Sequence, residues 1–177
     1  MRRWLTVMIL TCAVALLILQ MLHGSGTDLE ELARAGAIQD DAPIKASLNV
    51  VIQAPIEKVW TLLIGVNEWP KWQTAIKEAH LEGPVANGTN FTWSARATSI
   101  HSRFARVVPQ AEIAWTGTSL NAHAIHVWKL ERMAGNRTRV TTKESMSGFL
   151  LVFLYSSREL QVSDQFWLDR LKQEAER

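Results

Sequence analysis

From residue 44 onward, apolar and polar positions alternate with two different periods, and the changes of period mark the elements. Residues 44–53 (IKASLNVVIQ) alternate strictly enough, and carry enough β-branched side chains, to predict a strand. Ala54-Pro55 then opens a helix, because proline is tolerated in a first turn. Ile56, Val59, Trp60 and Leu63 recur along one face of that helix, and Gly65 ends it. The string Asn67–Trp72 predicts a second, shorter helical turn that carries aromatic side chains inward.

Beyond Ile76 the period shortens to that of strands. They are predicted over residues 76–82, 89–97, 99–108, 112–118, 122–132 and 137–146. Gly83-Pro84 with Asn87-Gly88, Pro109-Gln110, residues 119–121 and Gly135-Asn136 separate them. Connections this tight imply antiparallel pairing, since parallel strands need long crossovers. After Gly148, residues 149–175 carry Leu150, Phe153, Leu154, Leu160, Phe166, Leu168 and Leu171, which predicts one long helix, irregular near Ser156-Ser157. The expectation is an α+β domain over residues 44–177. A curved seven-stranded antiparallel sheet wraps around a long C-terminal helix, two short helices follow the first strand, and a cavity lies between sheet and helix.

The N-terminal pattern is different. Trp4–Leu22 is nineteen residues without a charge, interrupted only by Thr6, Thr11, Cys12 and Gln20. At about 1.5 Å rise per residue, such a helix matches a hydrocarbon layer of about 30 Å. Arg2 and Arg3 precede it, a charge asymmetry that holds the N-terminus in the cytoplasm and places the domain on the far side. The alternative is a signal peptide cleaved near Gly26, where Gly24 and Gly26 form a small-x-small pair and which releases a secreted or periplasmic domain. Residues 1–26 are thus read as a membrane anchor or signal segment and residues 27–43 as a linker. Thr27 and Glu30 in that linker have the spacing of a capping box for a short helix.

Charge and composition narrow the function. Two of the 19 Lys and Arg residues lie in the N-terminal segment, and the remaining 17 balance 17 Asp and Glu. A domain so balanced has no general field to attract nucleic acid. The one cysteine, Cys12, lies in the apolar run, so the domain has neither a disulfide framework nor a cysteine-held metal. Eight tryptophans against one tyrosine predict a broad apolar interior.

Strand parity selects the inward side chains. Phe91 and Trp93 share one face; His126 and Trp128 share another; Thr142, Glu144 and Met146 share a third with Val140. If Trp93, Trp128 and Val140 face inward, His126 and Glu144 are carried inward with them. This polar pair is a candidate to orient a ligand carbonyl or hydroxyl, to serve as general acid and base, or to satisfy each other in an apolar core. Trp72 stands at the end of the expected cavity, as plug or gate. Arg103 shares with His101 the face opposite Ile100, Ser102 and Phe104, and points to the cavity mouth or to solvent. His123 and His126 are three apart in a strand and face opposite ways, so no metal site is read from them. No phosphate-binding glycine loop, nucleophile elbow or other cofactor motif is present.

The residues also carry a resemblance. Ala54–Trp60 followed by Asn67–Trp72, then Gly88-Thr89-x-Phe91-x-Trp93, Ile113–Gly117, Ile125–Trp128 and Thr138–Met146 with Gly148 resemble the SRPBCC, or START-like, superfamily. The nearest branch is the polyketide cyclase/dehydrase group, and the resemblance spans about residues 44–175. It implies the helix-grip fold and a hydrophobic ligand pocket, and it adds Trp115 and, from the last helix, Phe153 to the candidate ligand-binding residues. The expected function is to hold a lipid or other apolar small molecule without catalysis and without a cofactor, tethered to a membrane through residues 4–22 or exported. The alternative is a cyclase or dehydratase using His126 and Glu144. A third possibility is an interior filled by its own side chains.

Overall fold

The computed structural model describes residues 29–95, 98–120, 122–149 and 151–177. A helical turn, α1, covers residues 29–34. Strand β1 (Ile44–Ile52) follows, then α2 (Ile56–Ile64), a 3-10 turn over Val66–Glu68 and α3 (Trp69–Trp72). Six strands come next: β2 (Ile76–Leu81), β3 (Asn90–Ala95), β4 (Thr98–Val108), β5 (Glu112–Ser119), β6 (Ala122–Met133) and β7 (Arg137–Ser147). Two helices, α4 (Leu151–Leu154) and α5 (Ser157–Ala175), end the chain.

The seven strands form one antiparallel sheet in the order β1-β7-β6-β5-β4-β3-β2. Register shifts between Ile76 and Ala79 and between Phe104 and Arg106 bend it. The sheet curls around α5, which is tied to β1 and α3 by polar contacts. Lys172 Nζ donates to Val51 O at 2.9 Å, Gln53 N donates to Glu176 Oε1 at 2.7 Å, and Arg170 Nε donates to Trp72 O at 2.8 Å.

The long helix expected over residues 149–175 is broken before Ser157. Ser156 has an extended backbone, accepts the Glu159 N–H on its hydroxyl and donates its own N–H to Glu159 Oε2. That capping box starts α5 afresh.

The interior is where eight tryptophans matter. Six of them, Trp69, Trp72, Trp93, Trp115, Trp128 and Trp167, interlock with Phe91 and Phe104 at ring separations of 4.5–6.4 Å. Trp69 touches four other rings and donates its indole N–H to Leu63 O at 3.0 Å. The cavity expected between sheet and helix is therefore occupied there by aromatic rings, and open space lies toward one end of the grip.

The opposite face of the sheet is covered too. Residues 29–42, read above as part of a linker, lie against it. Leu29, Leu32 and Ala33 form a helical stripe over Ala105, Ala114, Ile125 and Val127, with Ile38 beside them. Burial on both faces explains why residues 125–128 of β6 are all buried. Gly36 ends the helical turn at φ +68°, where a side chain is strained, and a Cβ there would meet Glu112 Oε1 at 1.7 Å. Among the described residues no helix is long and apolar enough to cross a membrane. The apolar run 4–22 and Thr27 of the expected capping box lie outside the described residues.

Candidate ligand-binding site

Rows of side chains across the inner face of the sheet place the candidate residues. One row runs from Phe104 through Trp115, His126 and Glu144 to Ala46, each residue opposite the next on its neighbouring strand. The row beside it, toward the open end, is Phe91, Ser102, Gly117, Ala124, Met146 and Ile44. Trp93 faces Ile100 one row further out, and Ser119 faces Ala122. The deep row carries Phe104, Trp115, His126 and Glu144, whereas the rows nearer the end include Ser102, Gly117, Ala124, Ser119 and Ala122. That taper leaves the end of the grip open.

A pocket of about 690 Å³ occupies this end. Its walls come from the strand ends (Trp93, Ala95, Ile100, Ala122, Met146), from α4 and the turn after it (Leu151, Leu154, Tyr155) and from α5 (Val162, Ser163, Phe166, Trp167). Ala75 and Ile76 close one side, and Ser119 and Leu120 lie at the β5–β6 turn. Among the described residues no charged side chain lines it. Leu120, Leu154 and Val162 on its wall are strongly exposed, as are Phe149 and Phe153 on the segment that carries α4.

Beneath the pocket lies a polar cluster. His126 Nε2 is 2.7 Å from Thr142 Oγ1, and His126 Nδ1 is 3.4 Å from Glu144 Oε2. Asp164, from α5, completes it: donor atoms of His126, Glu144 and Asp164 all lie within 4.8 Å of one another. Asp164 is 1% exposed, while the Glu144 side chain keeps 14% of its surface. Burial lowers the His126 pKa to about 3, because an imidazolium is poorly solvated there. Burial also raises the Asp164 carboxyl to about 7. Glu144 is raised well above the usual carboxylate range, by burial first and then by the charge and hydrogen bond of Asp164. Among the described residues no Lys or Arg forms an ion pair with either carboxyl. Burial therefore disfavours the charged form of all three groups, and the two carboxyls resist being ionised together unless a counter-ion joins them.

The structure distributes the sequence candidates over four places. Trp93 and Met146 line the pocket. Trp72, Phe91, Trp115 and Trp128 lie in the aromatic core. His126, Thr142 and Glu144 belong to the polar cluster. Phe153 is exposed, and Arg103 lies on the outer face, donating to Gly88 O at 3.2 Å and pairing with Glu30 at 3.4 Å. Asp164 was not among the candidates. Its signal was present: it falls four residues after Leu160 and three before Trp167, on the buried stripe of an otherwise charged helix.

Comparison with known proteins places this architecture. None of the curated proteins compared matches the chain. A hypothetical protein of Helicobacter pylori has the same fold at 20% identity, with a TM-score of 0.68 over 77% of this chain and 90% of that one. A START superfamily protein of Mycobacterium smegmatis matches at 10% identity and a TM-score of 0.66, over 75% of this chain and 97% of its own. The Zhui aromatase/cyclase of a Streptomyces species matches at 15% identity and 0.64, over 75% and 93%. Residues 43–176 match the family described as polyketide cyclase/dehydrase and lipid transport, nearly the whole of the described domain. The chain belongs to that family, within the SRPBCC, START-like superfamily.

Proposed function

We propose that this protein binds one lipid or other apolar small molecule in the pocket at the open end of its grip, and holds it without chemical change. The observation that carries this reading is the pocket itself. Ligand sites of about 300–1,000 Å³ with predominantly apolar walls bind apolar molecules, and this one, at about 690 Å³ and with no charged wall residue among the described residues, fits that description. Ser119, Ser163, Thr98 and Tyr155 supply the few polar groups that fix orientation. The nineteen-residue apolar run at the N-terminus supports a membrane-tethered domain on the far side of the membrane, next to a source of such molecules. A START superfamily protein among the structural neighbours agrees with this reading.

Trp93 and Trp167 on the pocket wall provide the test. A fluorescent fatty-acid probe titrated into the full-length protein in detergent is expected to saturate at one per chain and to accept excitation energy from tryptophan. A linear, unsaturable response, equal to that of detergent alone, would sink the reading.

A second reading, a cyclase or dehydratase, draws on one observation: a neutral imidazole beside a carboxyl whose pKa is raised by burial is a usable acid–base pair. The Streptomyces aromatase/cyclase shares the fold. The pair stands behind the pocket wall, not on it, which favours binding over turnover.

A further inference from the structure

The polar cluster is left unexplained by a pocket that holds an apolar molecule. Two carboxyls have been brought beneath the sheet with no Lys or Arg ion pair among the described residues. Asp164 Oδ2 is fully buried and receives no N–H or hydroxyl donor from the described residues; the Asp164 carboxyl faces that of Glu144, and the two share a hydrogen bond only while one of them holds a proton. Buried carboxylates are costly unless a proton or a cation neutralises them.

The third member points to which. Thr142 Oγ1, 2.7 Å from His126 Nε2, can accept the Nε2 proton and so leave the Nδ1 lone pair turned toward the carboxyls. At 3.4 Å, Nδ1 and Glu144 Oε2 stand beyond hydrogen-bond length. A histidine oriented through its other nitrogen, with its free nitrogen facing two carboxylates, is the arrangement that metal-binding histidines have. Ligand atoms at about 2.0–2.2 Å from one ion lie roughly 3–4 Å apart. The three donors, already within 4.8 Å of one another, need only small side-chain rotations to reach that spacing.

We propose that His126, Glu144 and Asp164 form a binding site for one divalent transition-metal ion of the Zn²⁺ class, built by β6, β7 and α5 under the floor of the pocket. One nitrogen and two carboxylate oxygens suit such an ion, and the two negative charges are neutralised by it. Met146, two residues beyond Glu144 on the same strand face, and Ser163, next to Asp164, both line the pocket. The ion would therefore sit behind the apolar wall and join sheet to helix. Sequence spacing alone does not show the site, because its third ligand comes from a helix twenty residues after Glu144.

The test uses full-length protein stripped with EDTA and titrated with ZnCl₂ or CoCl₂. Calorimetry should give one ion per chain. Co²⁺ should produce a visible absorption band and quench tryptophan fluorescence, since the His126 ring is 4.9 Å from those of Trp115 and Trp128. Asp164→Asn and His126→Gln should each weaken binding by about 100-fold or more, with far-UV circular dichroism unchanged. The proposal is overturned if neither ion binds saturably to the wild-type protein. It is equally overturned if both variants keep wild-type affinity, which would put the ion elsewhere. If a variant fails to fold, the Co²⁺ spectrum of the wild type decides, because carboxylate–imidazole coordination and adventitious surface binding differ in intensity and stoichiometry.

Discussion

Replacing Trp69 by alanine is expected to lower stability by about 3–5 kcal/mol, the usual cost of removing a buried tryptophan. For a chain of this size that is a fall in Tm of roughly 10 °C or more. Trp69 is fully buried and meets the rings of Phe91, Trp93, Trp115 and Trp167, so its loss leaves a cavity that no single neighbour can fill. It also leaves Leu63 O without its indole donor. Trp69→Phe should recover part of the loss, because a ring remains although the N–H does not. Phe153→Ala, at an exposed position, should change stability by no more than about 0.5 kcal/mol. Thermal unfolding of the three variants checks the ordering. Equal effects at Trp69 and Phe153 would mean that the aromatic cluster is not the structural core.

Filling the pocket should do the reverse, abolishing binding without harming the fold. Ala122 lies on the pocket wall, opposite Ser119 on the neighbouring strand. A tryptophan there projects into open space and displaces no packed side chain. Ala122→Trp is expected to weaken the fluorescent probe by at least tenfold, about 1.4 kcal/mol, with Tm held within about 2 °C. Unchanged affinity in a folded Ala122→Trp protein would show that the probe binds elsewhere. The two substitutions separate the roles of the aromatic side chains: those around Trp69 hold the sheet to α5, and the space beyond them receives the ligand.

That division was only partly legible in the sequence. The strands were readable because their alternation is interrupted by Gly, Pro and Asn at each reversal, and their predicted limits lie within a few residues of those found. The inward direction of His126 and Glu144 followed from parity with Trp128 and Val140, and both strands keep that parity in the structure. Parity says which way a side chain points, but not how deep it lies. Phe91, Trp115 and Trp128 could not be told from Trp93 and Met146 by period alone; the depth of each depends on where α3 and α5 cross the sheet. Asp164 was missed for a related reason. A helix read only for its apolar stripe hides an acid on that stripe, and only the tertiary fold sets it against Glu144. The packing of residues 29–42 was hidden because a stripe as short as Leu29, Leu32 and Ala33 gains its meaning from the apolar outer face of β5 and β6.

Native mass spectrometry of the full-length protein, released from detergent and followed by extraction of whatever accompanies it, tests the central claim most directly. The account predicts one apolar molecule per chain, retained by the wild type and absent from Ala122→Trp. A wild-type protein that carries no passenger, and acquires none when incubated with a total lipid extract, would contradict it.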